Sequence, residues 1–309
     1  MLRIATRKSA LAIWQARRVQ SLLGEAAELL PMQTEGDRVL DRSLAEAGGK
    51  GLFVKELEEA LLEERADLAV HSAKDVPFAL PERLTLSAFV AREDPRDALI
   101  APAAKTFANL PRGARVGTSS LRRSVQLLAA RPDLVVVPVR GNVQTRIGRA
   151  GNGLDAVVLA LAGLRRLGLE DRATEILPVE LSLPAAGQGA LAIETVSGSR
   201  GDRAAAPLDD PATSRCVRAE RAVLARLQGG CTVPVAAYAE ISGDQIWLRA
   251  LLGGPDASGR IALVRAESHG REPEILGRAV AEDLLTKGGE PLLEAARAQP
   301  GGLPAPRRS

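Results

Sequence analysis

Gly117-Thr118-Ser119-Ser120-Leu121-Arg122-Arg123 and, further on, Arg140-Gly141-Asn142-Val143-Gln144-Thr145-Arg146 point to anion binding. Residues 115–117 read as the end of a short β-type run, and Gly117 lets the backbone turn sharply. Thr118, Ser119 and Ser120 then place hydroxyls and unpaired amides at the start of a helix expected over 121–130. A helix N-terminus carries partial positive charge, so Arg122 and Arg123 in its first turn cost helix stability unless something negative offsets them. A second run, 135–137, ends near Arg140, and the next helix carries Arg146. Two strand ends thus bring arginines to one edge of a sheet, where open α/β sheets bind ligands. The bland alternative is a solvated arginine-rich face.

One acid and one cysteine stand out beside these arginines. In His71-Ser72-Ala73-Lys74-Asp75-Val76-Pro77 a buried strand, 67–72, runs into a turn that Pro77 stops from continuing. Lys74 and Asp75 can then project into the cleft at that edge, although a local ion pair would explain them equally. A carboxylate among arginines stays ionised, which suits stabilising a cation that develops during a reaction. His71 is read as a packed strand residue. Cys231 lies in Gln228-Gly229-Gly230-Cys231-Thr232-Val233-Pro234, where two glycines free the backbone to present the sulfur. Nearby arginines would favour the thiolate that covalent attachment needs, against the plain alternative of a structural cysteine. Cys216 falls on a helix as a buried or neutral thiol. With two Cys and two His in all, no metal site is expected.

These side chains need strand ends to hold them, and the periodicity supplies them. Strands are expected at 2–5, 29–34, 67–72 and 84–90, with helices at 10–23 and 53–64. Arg7 and Ser9 occupy the first strand-to-helix turn. Arg92-Glu93-Asp94-Pro95-Arg96-Asp97 reads as a charged crossing into a second lobe, with strands at 98–101, 115–117, 134–138, 155–159 and 176–179. Arg165-Arg166 follows one more strand end. Gly187 to Ala192 fits the GxGxxA dinucleotide pattern, but a strand follows it instead of preceding it, so it is read as a small-residue crossover back to the first lobe. Gly48-Gly49-Lys50-Gly51 lacks the Ser or Thr and the upstream glycine of a phosphate loop and is read as a glycine turn or lid. Residues 197–210 read as a linker and 211–227 as a helix. Three strands follow at 235–241, 245–252 and 260–267, then a closing helix at 274–285 and a disordered tail at 299–309.

The chain of 309 residues is long enough for two or three domains, and with 2% aromatics its cores must be aliphatic. Net charge is +3, but residues 95–184 hold 13 Lys+Arg against 7 Asp+Glu, so this third carries +6. Such a lobe suits a polycarboxylate. Nucleic acid is not expected, because no basic tract is interleaved with aromatics. No apolar run matches a signal peptide or membrane span, so the chain is read as cytosolic. No extended assembly surface is evident, so a monomer is the expectation, with the oligomeric state left open.

Taken in order, Ile-Ala-Thr-Arg-Lys-Ser near the start, Gly-Gly-Lys-Gly-Leu-Phe-Val-Lys-Glu-Leu-Glu, His-Ser-Ala-Lys-Asp-Val-Pro, Arg-Glu-Asp-Pro-Arg-Asp, Gly-Thr-Ser-Ser-Leu-Arg-Arg, Arg-Gly-Asn-Val-Gln-Thr-Arg, Leu-Pro-Ala-Ala-Gly-Gln-Gly-Ala and Leu-Gln-Gly-Gly-Cys-Thr-Val-Pro resemble the porphobilinogen deaminase family, from residue 2 to about 285. The resemblance implies an α/β fold of two periplasmic-binding-protein-like lobes with chain crossovers and a small α+β C-terminal domain with a three-stranded antiparallel sheet. Its boundaries would be 1–92 with 186–206, then 93–185, then 207–298. It implies a transferase that condenses porphobilinogen head to tail into the linear tetrapyrrole hydroxymethylbilane, releasing ammonia and using a dipyrromethane cofactor bound through a thioether to Cys231. Each pyrrole carries an acetate and a propionate, so guanidinium groups should line the cleft. By the same match, Lys74, Asp75, Thr118, Ser119, Arg122 and Arg123 hold the cofactor and Arg7, Ser9, Arg140 and Arg146 bind substrate. Arg166 is a further cleft arginine, Phe53 and Gln188 border the rings, and Asp75 is the catalytic acid-base group. Ala73 and Ala10 depart from residues often seen in relatives, and neither touches a charged group. The rival reading is a two-lobed receptor for acidic small molecules, without covalent chemistry.

Overall fold

The computed structural model describes residues 1–24, 27–38, 51, 53–230 and 232–298. Three of the expected features, Cys231, most of the 48–51 loop with Lys50, and the 299–309 tail, lie outside the described residues.

The first lobe begins with β1 (Leu2–Arg7), α1 (Ala10–Leu23), β2 (Ala27–Met32), a single turn α2 (Glu35–Arg38), α3 (Lys55–Leu62), β3 (Leu68–Ser72) and β4 (Leu84–Val90). Ser9 caps α1 by accepting from the Ala12 amide, and the helix buries Ala12, Gln15, Ala16 and Val19. Ile4, Val70 and Ile193 pack under that helix, while Ala5, Ala69, Leu57 and Leu61 form the core on the α3 side. Alternate β-residues thus serve both faces of the sheet. Each Leu or Ile so buried contributes about 1.5–3 kcal/mol, which small aliphatic residues supply here in place of aromatics.

The chain then crosses over. The second lobe comprises β5 (Asp97–Ile100), β6 (Arg115–Gly117), α4 (Leu121–Ala130), β7 (Val135–Val137), α5 (Val143–Ile147), β8 (Ala156–Ala160), α6 (Leu161–Arg166) and β9 (Glu175–Ile176). It returns through β10 (Leu191–Val196) and α7 (Arg200–Ala205) to the first lobe. The sheets are β2-β1-β3-β10-β4 and β7-β6-β8-β5-β9. Both have three parallel strands followed by a strand antiparallel to its neighbours, β10 in one and β5 in the other. In each lobe that antiparallel strand is the one reached by a crossover. This is the expected pair of binding-protein-like α/β lobes.

The third unit packs α8 (Pro211–Leu227), α9 (Pro273–Leu284) and α10 (Glu290–Ala298) against the antiparallel sheet β11 (Val235–Ser242), β12 (Gln245–Pro255) and β13 (Ile261–Gly270). Val217 on α8 joins Ala73, Val76 and Phe89 of the first lobe, and Tyr238 and Leu251 join Val125 and Leu183 of the second. The third unit is therefore wedged against both lobes.

Two expectations need correction. Residues 197–210 are not a linker: Ser199 caps α7, Ala205 is buried in the first-lobe core, and Arg200 bonds Asp67 at 2.8 and 2.9 Å. Gly201 permits this, because a Cβ there would lie 1.9 Å from the Asp67 carbonyl oxygen. Helix α10, unforeseen, follows a kink at Gly288 and buries Leu292 and Leu293.

Candidate active site

The C-terminal ends of the parallel strands open on one cleft of about 2410 Å³. All thirteen described candidate residues line it: Arg7, Ser9, Phe53, Lys74, Asp75, Thr118, Ser119, Arg122, Arg123, Arg140, Arg146, Arg166 and Gln188. Gly229, Gly230 and Val233 line it as well, so the loop around position 231 borders the same space.

At the end of β3 a 3-10 turn, Ala73–Asp75, presents Lys74 and an exposed Asp75. Lys74 donates to the Gln188 side-chain oxygen at 3.1 Å. Burial, reinforced by the nearby Arg123 guanidinium, pulls its pKa down to about 8. No Lys74–Asp75 contact is close enough to be an ion pair, so the local-pair alternative is not what forms there.

At the end of β6 the Thr118 hydroxyl accepts from the Ser120 amide, and Ser120 caps α4 by accepting from the Arg123 amide. Ser119 is held by the segment after β7, donating to the Val139 carbonyl at 2.8 Å and accepting from the Val139 amide at 2.9 Å. Arg122 and Arg123 are almost wholly buried and converge on Asp97, which sequence reasoning had treated only as part of the charged crossing. Arg122 donates to Asp97 at 2.9 Å, Arg123 at 2.6 Å, Ser182 at 2.7 Å and Gln188 at 2.8 Å. Burial would raise the Asp97 pKa, but the two guanidinium groups outweigh it and hold the carboxyl well below the usual range. The helix-destabilising arginines are thus balanced in part from within the chain. An unmet charge at a helix start was the clue, and Asp97 in Arg-Glu-Asp-Pro-Arg-Asp was the acid that met it.

The balance is incomplete. Lys74, Arg122 and Arg123 are three cations against two carboxylates, the buried Asp97 and the exposed Asp75, and the Nε atoms of both arginines are buried without a hydrogen-bond partner. Arg146 donates to the Gly141 carbonyl at 2.8 Å, and its pKa is lowered first by burial and then by Arg123 and Arg140. Arg7 lies over the Phe53 ring at 4.2 Å. Arg166 donates to the Gly189 carbonyl at 2.5 Å, lies 5.8 Å from the Trp14 ring centroid, and is pulled down to about 10 by burial. Such crowding of desolvated cations favours a ligand with several carboxylates.

Gln188 does more than border the cleft. Its amide nitrogen donates to Pro95 and Asp97, while its oxygen accepts from Lys74, so it ties the first lobe to the second. The glycines beside it serve the crossing of two chain segments. At Gly189, where φ is +91°, a Cβ would sit 2.3 Å from the Glu93 carbonyl oxygen. This is the physical reason for a GxG pattern outside any nucleotide fold. Glu220 on α8 was also missed. Fully buried, it binds Arg92 at 2.6 and 3.2 Å, the Gly187 amide at 2.6 Å and the Ala239 amide at 2.8 Å.

Outside the cleft, Cys216 is buried and its thiol is pushed up to about 11 by desolvation and then Glu220. His71 is packed beside the buried Glu194 at 3.0 Å, as a strand residue should be. Among the described residues no cluster of His, Cys, Asp and Glu could hold a metal ion, and no helix is long and apolar enough to cross a membrane.

Residues 2–203 match the family described as porphobilinogen deaminase, dipyromethane cofactor binding domain, and residues 214–286 match the porphobilinogen deaminase C-terminal domain. Among solved structures, the methionine binding protein MetQ is similar at 13% identity over 67% of this chain and 89% of its own, with a TM-score of 0.43. Protein PG110 from Staphylococcus aureus is similar at 12% identity over 72% and 91%, with a TM-score of 0.41. The Bordetella pertussis BvgS VFT2 domain is similar at 18% identity over 67% and 84%, with a TM-score of 0.38.

Proposed function

The chain belongs to the porphobilinogen deaminase family, and on that premise we propose how its residues divide the condensation of porphobilinogen into hydroxymethylbilane. The family's dipyrromethane cofactor, when bound, supplies the pyrrole carbon to which the first substrate unit is joined. Lys74, Arg122 and Arg123 would hold its carboxylates, with Thr118 and Ser119 shaping the turn beside them. The excess of three cations over the carboxylates of Asp97 and Asp75 supports this fit. Cys231 would carry the thioether, a reading supported by Gly229 and Gly230 on the cleft wall.

Arg7, Ser9, Arg140 and Arg146 would orient the acetate and propionate of incoming porphobilinogen. Arg166 would extend that grip and Phe53 would flank the ring, with Gln188 keeping the lobes in register. Asp75 would accept the pyrrole N–H and return protons as the aminomethyl nitrogen leaves as ammonia, a role that suits an exposed carboxylate in a cationic cleft. The enzyme would work as a cytoplasmic monomer on this small soluble substrate.

The observation that carries the reading is that residues scattered from 7 to 188 line one cleft together with the glycines preceding Cys231. Intact-mass spectrometry of purified protein, paired with an assay for ammonia release from porphobilinogen, tests it. The mass should exceed that of the bare polypeptide by two pyrrole units. A bare mass in protein that still turns over substrate would refute the cofactor assignment.

A further inference from the structure

Asp75 has little of its own to fix it. It ends a three-residue 3-10 turn and is exposed, and the next segment contains Pro77, which has no amide hydrogen to give. The Val76 amide makes a long 3.3 Å bond back to Ala73. What grips the chain just after Asp75 comes from another part of the molecule. Arg221, on α8, donates from Nη1 to the Val76 carbonyl at 3.0 Å, and from Nη2 to the Pro77 carbonyl at 2.6 Å and the Phe78 carbonyl at 3.5 Å.

This arginine is committed to the backbone. Among the described residues no carboxylate lies within ion-pair distance of it, and Glu194, itself beside His71, is the one acid acting on it through space. Burial accordingly lowers its pKa to about 10. Its neighbour Glu220 ties α8 to Arg92 and to the Gly187 amide on the two interlobe crossovers. The same helix ends at Leu227, four residues before Cys231.

We infer that Arg221 is a positioning residue for the reaction: its planar fork holds the Val76 to Phe78 carbonyls and so sets Asp75 against the loop that α8 delivers. The inference rests on Asp75 being the acid-base group. Guanidinium geometry is what the role requires, because two of its nitrogens reach neighbouring carbonyls at once while an ammonium offers a single point of contact. A misplacement of about 1 Å at a reacting group costs on the order of a hundred-fold in rate.

The test measures kcat and KM for porphobilinogen on cofactor-loaded Arg221→Gln and Arg221→Lys, with intact mass as a check on loading. For Arg221→Gln kcat should fall by about ten- to a hundred-fold, with KM within about two-fold and the adduct retained. Arg221→Lys should recover part of the loss and stay clearly below the parent. A parental kcat in Arg221→Lys overturns the inference even if the Gln variant does not fold, as does a rise in KM at unchanged kcat. In an Asp75→Asn background, Arg221→Lys should cause no further loss, and a fully additive loss would also overturn it. If Asp75→Asn alone turns over normally, the assignment of Asp75 fails. If Asp75→Asn is inactive and both Arg221 variants are at parental rate, only the positioning role fails.

Discussion

Arg123 donates to Asp97 across 2.6 Å with both side chains shut away from solvent, and Arg122 meets the same carboxylate at 2.9 Å. Removing the carboxylate charge would leave two buried guanidinium groups facing each other. Asp97→Asn should therefore destabilise the protein by about 3–5 kcal/mol, the usual cost of breaking a buried pair from one side. Denaturant unfolding at neutral pH measures this, and a change below about 1 kcal/mol would show the arginines to be balanced elsewhere. The folded-state pKa of Asp97 is depressed, so its contribution is complete above the unfolded value of 3.8 and is lost only as pH falls below it.

Asp75→Asn should fold normally, because the side chain is exposed and forms no ion pair among the described residues, yet turnover should drop by about 10²–10⁴. Activity within a few-fold of the parent would show that this carboxylate does not handle the protons.

The two cysteines should behave oppositely. Cys231→Ser protein should lack the covalent adduct, and Cys216→Ser should keep it. In native Cys231→Ser protein the remaining thiol, buried and with its pKa raised to about 11, should alkylate slowly at pH 8 and quickly once unfolded. Fast native alkylation would contradict the packing described for α8.

Glu58 faces the cleft from α3, and its pKa is raised to about 7 by burial and then by Glu194. Folded protein keeps this proton longer than the unfolded chain, so stability from this group is complete below the unfolded value of 4.5 and declines as pH rises through about 7. Half-burial and solvent screening limit the loss to about 1–2 kcal/mol. Glu58→Gln should flatten the stability profile between pH 5 and 8. An unchanged slope would assign the titration to another group.

The sequence conveyed the strand ends more faithfully than what joins them. Hydrophobic periodicity and capping residues located α1 at Ala10–Leu23 and α8 at Pro211–Leu227, because each begins at a polar cap and buries one regular face. Residues 197–210 misled because Gly, Ala, Asp and Arg look like a linker until Gly201 is seen against Asp67. Most candidate residues on the cleft were legible because they stand at turns marked by Gly, Ser and Pro, whereas Phe53 and Gln188 were legible only through the family resemblance. Asp97, Glu220 and Arg221 were not, since their partners lie 25, 128 and 145 residues away and only the folded arrangement joins them.

Strand β10, contributed by residues Leu191–Val196, lies between β3 and β4 in the first sheet, whereas every strand of the second sheet falls between Asp97 and Ile176. A ribosome therefore releases everything the second sheet requires before it has made the strand that joins β3 to β4 in the first. The strands from β1 to β4 must wait, with β3 and β4 each exposing an unpaired border, until nearly two hundred residues have emerged. Biogenesis should thus run opposite to the usual order, with the later-encoded lobe maturing ahead of the one translated first.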